Sequence, residues 1–148
     1  MSLLKSAYKI LKVHNLIVEY HTGILDVDSF INFRQNITLD PLFLPSLNYF
    51  VHFKKVTFST NSDDINKYAN FMADNYNVYG NRRVALITNT PNQVVSTTLF
   101  KMIHQKTSQV EIFSTNESAL EWLNSNLHKN EILDVLETLK LSETSSFI

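Results

Sequence analysis

The chain contains no cysteine. That removes disulfides, thiolate nucleophiles and thiolate metal sites, and leaves the fold indifferent to redox state. Glycine is nearly as scarce, with two residues in 148. Glycine-rich phosphate loops of the Rossmann or P-loop kind lack their steric requirement, so nucleotide binding of those types is excluded. Nor is there an excess of charge of either sign: 13 Lys and Arg face 14 Asp and Glu, for a formal net charge of -1. Arg82, Arg83, Lys101 and Lys106 are spread among acids rather than gathered into a stripe, which argues against nucleic acid as a partner. Long apolar runs are missing as well. Lys5, Lys9 and Lys12 interrupt the first apolar residues, leaving neither a signal-peptide core nor a membrane span, and a cytoplasmic location is expected. The five histidines, His14, His21, His52, His104 and His128, form no His-x-x-x-His or Glu-x-x-His pair, so no metal site is expected.

What the chain does have is an ordinary globular composition, 44% hydrophobic and 11% aromatic, enough for one domain with a real core. Strand and helix signals alternate along it. Tyr8–Leu11 and Leu16–Tyr20 read as a hairpin around Val13-His14-Asn15, with Thr22-Gly23 ending the second strand. From Asp26 or Asp28, the residues Val27, Phe30, Ile31 and Ile37 share one helical face, and Asp40-Pro41 closes that helix. Leu47–Phe53 is aromatic and β-branched, as in a central strand. Ile65, Tyr68, Ala69, Met72 and Tyr76 then recur at helical spacing behind the acidic pair Asp63-Asp64. Gly80-Asn81 stops that helix. Arg83–Thr88 is nearly continuous in apolar residues, as expected for a strand covered on both faces. Thr90-Pro91-Asn92-Gln93 reads as a capping box, opening a helix whose buried face is Val94, Val95, Thr98, Leu99, Met102 and Ile103. Val110–Phe113 is a last strand, Ser114 or Thr115 caps a helix through Ala119, Leu120, Trp122 and Leu123, and Ile132, Leu133, Val135, Leu136 and Leu139 form one more amphipathic segment before a frayed Ser142–Ser146 tail.

This order predicts an α/β fold with a mixed sheet of about five strands, the first antiparallel and the rest largely parallel, with four helices plus an extra C-terminal helix. Three segments carry a resemblance: His52-Phe53-Lys54-Lys55-Val56-Thr57-Phe58, Val84–Thr88 before a capped helix, and Val110–Phe113 before Ala119-Leu120-Glu121-Trp122-Leu123. Over roughly residues 8 to 124, with pattern-read boundaries good to about two to four residues, the chain resembles the SpoIIAA-like fold. That fold is shared by the STAS domains of anti-sigma-factor antagonists and by small bacterial proteins without assigned activity, and the Phe, Ala, Trp-Leu ending is similar to the latter branch. The resemblance implies a SpoIIAA-like domain over residues 1–124 and a helical extension over 125–148.

It also implies where function would sit. In phosphorylated antagonists the corresponding strand leads into Asp-Ser-Ser/Thr-Gly, and a kinase modifies a serine at the helix start to break a complex. Here the matching positions are Thr60, Asn61, Ser62 and Asp63, of which Ser62 alone agrees. Asp63 replaces a small glycine, and with Asp64 it sets negative charge beside any phosphate. An N-cap role for Asn61 or Ser62 explains the same residues without function. The turn carrying Thr88, Thr90, Asn92 and Gln93 lies where open α/β sheets collect ligands, and is expected to edge a pocket if one exists; capping alone also accounts for it. His52 stands where the family carries an acid, and is expected to pack. His14 and His21 flank a strand and could meet across it. No Ser-His-Asp or paired-carboxylate arrangement is apparent, so no catalysis and no cofactor are expected. The expected function is a non-enzymatic regulatory or protein-interaction module, with an unidentified protein as partner. The second reading is a small-molecule or lipid carrier with a cavity between sheet and helices, an analogy drawn from names that couple the family to a lipid-binding fold. The terminal helix, with little left to cover, is expected to mediate a homodimer, with docking within the chain as the alternative.

Overall fold

A computed structural model of the chain describes residues 3–58, 61–79, 82–90 and 109–145. In order these form β1 (Lys5–Leu11), a short 3-10 turn (Lys12–His14), β2 (Leu16–Leu25), α1 (Val27–Thr38), β3 (Asn48–Phe58), α2 (Ser62–Asp74), α3 (Tyr76–Tyr79), β4 (Arg83–Ile87), β5 (Gln109–Phe113), α4 (Asn116–Trp122) and α5 (Lys129–Ser145). The strands make one five-stranded sheet in the order β1-β2-β3-β4-β5, with β1 antiparallel to β2 and every other pair parallel. The expected mixed sheet is the observed one. The expected helix from Pro91, with its capping box, lies outside the described residues.

Local chemistry explains most boundaries. The hairpin closes because Asn15 adopts the left-handed region at φ 54°, a conformation asparagine tolerates, and its N–H returns to the Lys12 carbonyl at 3.1 Å. Asp26 caps α1, accepting from the Asp28 N–H and from the Ser29 hydroxyl. Several boundaries differ from the sequence reading. Strand β2 continues through Thr22-Gly23 to Leu25, and β3 continues to Phe58, because each supplies the other's ladder from Thr22↔Lys55 to Leu25↔Phe58. Helix α2 stops at Asn75, whose side-chain amide and N–H both donate to the Phe71 carbonyl, so Tyr76 belongs to α3 rather than to the α2 stripe. Helix α5 runs on to Ser145, with neither glycine nor proline to stop it at Ser142.

Alternation along the strands divides the core into two layers. Ile17, Tyr49, Val51, Phe53, Val84, Leu86 and Val110 face Phe30 and Ile37 of α1 and Tyr68 and Met72 of α2. Leu16, Val18, Tyr20, Phe50, Ala85 and Ile87 face the opposite way, onto Ala119 and Leu120 of α4 and Ile132, Leu136 and Leu139 of α5. Right-handed crossovers put α1 and α2 on the same face of a sheet that advances in one direction. Cover for the second face therefore has to come from the helices C-terminal to β5. Helix α4 has only seven residues, and α5 completes the cover by lying across β1 and β2. The apolar face expected to be left over for a second subunit is thus covered within the chain, and Leu133 and Leu141 are the large apolar residues of α5 that remain exposed.

Because Ile132 is fully buried under this cover, Ile132→Ala is expected to cost about 2–5 kcal/mol. Urea denaturation checks it, and an unchanged midpoint would mean that α5 does not hold the second face.

Candidate functional site

The β3–α2 corner is built by a reciprocal cap. Asn61 Oδ1 accepts the Asp64 N–H at 2.9 Å, and Asp64 Oδ2 accepts the Asn61 N–H at 3.3 Å. Asn61 rather than Ser62 is therefore the N-cap, and Ser62 is the first helical residue. Its side chain is exposed beside exposed Asp63, and its hydroxyl makes no hydrogen bond among the described residues. Thr60 lies outside the described residues. An ion pair between Lys67 and Asp28 joins the outer surfaces of α2 and α1 near this corner.

The second expected loop is placed differently. Thr88 is buried, and its N–H donates to the Phe113 carbonyl at 2.9 Å, so it extends the β4–β5 ladder rather than lining an open mouth. Thr90 is exposed, and Asn92 and Gln93 lie outside the described residues. The two loops share one edge of the sheet but not one level. Ile87, at the end of β4, pairs with His52, whereas β3 runs on to Phe58, an overhang of about 20 Å at the usual strand rise.

Reasoning from sequence missed a third arrangement, buried between the sheet and α1. Glu19 and His21 are both 0% exposed and sit two residues apart on the same face of β2. His21 Nε2 lies 2.8 Å from Glu19 Oε1, and Ser6 Oγ of β1 lies 2.6 Å from His21 Nδ1. Arg34 of α1 reaches down to Glu19, with Nε 2.8 Å from Oε2 in a close ion pair. Its guanidinium lies 4.5 Å from the Tyr49 ring centroid and 4.9 Å from that of Phe30, and Arg82 lies 4.4 Å from the Tyr49 ring. The rings of Phe30, Phe33 and Phe53 enclose the His21 imidazole. The interior thus holds mutually oriented ionisable groups where none was expected. The signal was present in the sequence: Glu19 stands in the middle of Leu16-Ile17-Val18-Glu19-Tyr20-His21, and Arg34 falls four residues after Phe30 and three before Ile37, on the apolar face of α1.

The electrostatics follow from burial. Desolvation pushes the Glu19 carboxyl up, but Arg34, the His21 hydrogen bond and the charge on Arg82 together hold it below its ordinary value. Burial lowers the His21 pKa against the opposing pull of Glu19. On the other face, His52 stacks on Tyr20 at 5.0 Å, packing as expected; burial, then the charge of Lys54, draws its pKa down to about 4. His14 does not meet His21. It bonds Asn126 at 2.6 Å, at the opposite end of the strand.

Two concavities border these groups. One, about 20 Å³, is enclosed by Leu25, Phe53, Val84, Leu86 and Val110 of the sheet with Phe30, Arg34 and Tyr68 of the helices. The other, about 230 Å³, lies at the amino ends of β3 and β4, between His14, Asn15, Asn48, Arg83, Leu123 and Asn124. Its polar groups hold the chain together: Asn48 accepts the Arg83 N–H, and Arg83 donates to the Trp122 carbonyl at 2.6 Å. Among the described residues no group of three or more His, Asp or Glu side chains could hold a metal ion, and no helix is long and apolar enough to cross a membrane.

The chain belongs to the family described as domain of unknown function DUF7793, whose model matches residues 47–127. No curated protein matches the sequence. Among solved structures, it is similar to an uncharacterised protein of the DUF3478 family with a SpoIIAA-like fold from Shewanella loihica, at 16% identity and a TM-score of 0.56, covering 83% of this chain and 97% of the other. An anti-sigma factor antagonist from Mycobacterium paratuberculosis matches at 12% identity and a TM-score of 0.49, covering 82% and 95%. The first similarity, together with the sheet order, establishes a SpoIIAA-like fold.

Glu19, His21 and His52 all have folded pKa values below their ordinary ones. Their contributions are complete above the unfolded values, 6.5 for histidine and 4.5 for glutamate, and are lost as pH falls. Unfolding free energy is expected to decline steadily from pH 7 to 4. In His52→Phe, which keeps the stack on Tyr20, the slope between pH 6.5 and 4 is expected to fall by one proton, about 1.4 kcal/mol per pH unit; an unchanged slope by urea titration would mean that His52 is not held neutral.

Proposed function

We propose that this protein is a non-enzymatic regulatory or protein-interaction module of the STAS type, which presents the β3–α2 corner to a protein partner and works without the usual phosphorylation switch. The observation that carries this reading is the division of labour at that corner. Asn61 and Asp64 satisfy the helix end between themselves, leaving Ser62 and Asp63 exposed with no structural duty among the described residues. The SpoIIAA-like fold supports it, because the resemblance implies that partners of such domains meet this corner. Asp63 and Asp64 beside Ser62 would repel a phosphate that the helix N-terminus alone would attract. On this reading residues 1–124 are the recognition unit, residues 125–148 are its C-terminal extension, whose helix Lys129–Ser145 covers the second face, and the location is cytoplasmic.

The buried groups favour a structural role over catalysis. Ser6, His21 and Glu19 are connected in series, as in a hydrolase relay, but a base in that relay must accept a proton in the open site. Enclosure by three phenylalanine rings disfavours the imidazolium, and Arg34 already neutralises the carboxylate that would stabilise it. Size bears on the carrier reading. A gap of about 20 Å³ is room for a single water, whereas small-molecule pockets occupy roughly 300–1,000 Å³.

A photo-crosslinking residue placed at Ser62 or Asp63 in cells is expected to trap one discrete protein, while the same residue at Lys9, on the edge strand, traps none. Intact-mass analysis after incubation with a cognate kinase is expected to find Ser62 unmodified, and Ser62→Ala is expected to leave the crosslinked complex intact. Crosslinks from Lys9 but not from the corner would displace the proposed face, and loss of the complex in Ser62→Ala would restore the switch.

A further inference from the structure

The larger concavity, about 230 Å³, lies at the opposite end of β3 from the corner presented to a partner. Its lining residues, His14, Asn15, Asn48, Arg83, Leu123 and Asn124, include no acid. They come from four separate parts of the chain: the hairpin turn, the starts of β3 and β4, and the turn after α4. Arg83 supplies the charge. Its guanidinium donates to the Trp122 carbonyl at 2.6 Å and lies 5.5 Å from the Trp122 ring centroid. No carboxylate pairs with it among the described residues, so its remaining N–H groups are left to donate. An exposed arginine normally loses rotamer freedom when it grips a ligand; this one is already held in place.

The asparagines supply an independent observation. Asn15 and Asn124 are the two non-glycine residues at positive φ among the described residues, at 54° and 57°, and both line this cavity. Glycine would serve either turn with less strain; asparagine brings an amide to the cavity instead. Neither side-chain amide makes a hydrogen bond among the described residues. Asn48 is committed through Oδ1, which accepts the Arg83 N–H at 2.9 Å, and this orientation leaves its NH2 as a donor. Three primary amides on three different elements thus surround one fixed guanidinium.

We propose that this cavity binds a small soluble phosphate monoester, with the phosphoryl group against Arg83 and the side-chain amides of Asn15, Asn48 and Asn124. Donors arriving from several elements suit a tetrahedral oxyanion, which accepts hydrogen bonds from many directions, whereas a carboxylate accepts close to one plane. Volume limits the rest of the ligand. At about 230 Å³ the space falls below the roughly 300–1,000 Å³ of sites for drug-sized molecules, so the ester carries only a few carbons. Leu123 is the apolar wall for that carbon chain. The His14 ring is bound through Nδ1 to Asn126 at 2.6 Å, leaving Nε2 as the ring atom that meets a ligand hydroxyl.

The test titrates the full chain with glycerol 3-phosphate, inorganic phosphate or sodium acetate at fixed ionic strength, following side-chain amide and arginine resonances by NMR. Glycerol 3-phosphate is expected to shift Asn15, Asn48, Arg83 and Asn124 saturably, inorganic phosphate to bind more weakly because it leaves Leu123 uncovered, and acetate to have no effect. Arg83→Gln is expected to weaken binding by roughly tenfold to a hundredfold. Asn124→Gly keeps the left-handed turn and removes one donor, so it is expected to weaken binding by about threefold to tenfold while leaving Tm in place; a purely structural asparagine would lower Tm without changing affinity. Shifts that fail to saturate, equal responses to acetate or inorganic phosphate, or unaltered affinity in both variants would overturn the site. So would binding to vesicles containing phosphatidic acid without binding to glycerol 3-phosphate, which would move the phosphate to a lipid surface.

Discussion

Strands β2 and β3 occupy the middle of a mostly parallel sheet, and each of their side chains must be covered from one side or the other. That requirement organises the rest of the molecule. Alternation sends Tyr49, Val51 and Phe53 toward α1 and α2, and sends Phe50 with Leu16, Val18 and Tyr20 toward α4 and α5. Because the β2–α1–β3 and β3–α2–β4 crossovers share one hand, they load one face and leave the other to the chain after β5. The C-terminal helix is thereby drawn into the core, where it completes the second layer.

Double-sided burial also explains why the polar cluster is costly to disturb and ordered. A charged pair on an exposed sheet face would contribute little, whereas Glu19, His21 and Arg34 lie where each lost partner leaves a buried charge uncompensated. The same groups tie together three elements that hydrophobic contacts alone would allow to slide: β1 through Ser6, β2 through Glu19 and His21, and α1 through Arg34. The exposed corner at Asn61–Asp63 stands apart from that cluster, on the projecting ends of β2 and β3. The exposed corner and the buried electrostatic order are therefore spatially separate, so substitution at one need not disturb the other.

Much of the architecture was legible in the residues. Arg83–Thr88 read as a strand covered on both faces because it carries no alternation, and a helix start was legible at Ser114 or Thr115, of which the structure makes Thr115 the cap. The corner was legible to the level of a cap within Asn61-Ser62, and the structure assigned it to Asn61. The buried cluster was not read. Glu19 and Arg34 belong to different elements, and a lone acid in an apolar strand looks the same whether it faces solvent or a guanidinium. The α2–α3 break was also hidden, since Tyr76 keeps the helical spacing and only the side-chain bond of Asn75 to Phe71 ends the helix.

By itself, then, the amino-acid order determined the kinds and succession of the elements, the ban on thiol and glycine-loop chemistry, and the position of the helix-capping corner, because these depend on neighbours within a few residues. Tertiary structure alone decided which face each helix covers, how far β3 overhangs β4, that two arginines pack on the Tyr49 ring, and that one of them pairs with Glu19. Those outcomes rest on register and crossover hand, which join residues far apart in the chain, and no local pattern encodes the distance between them.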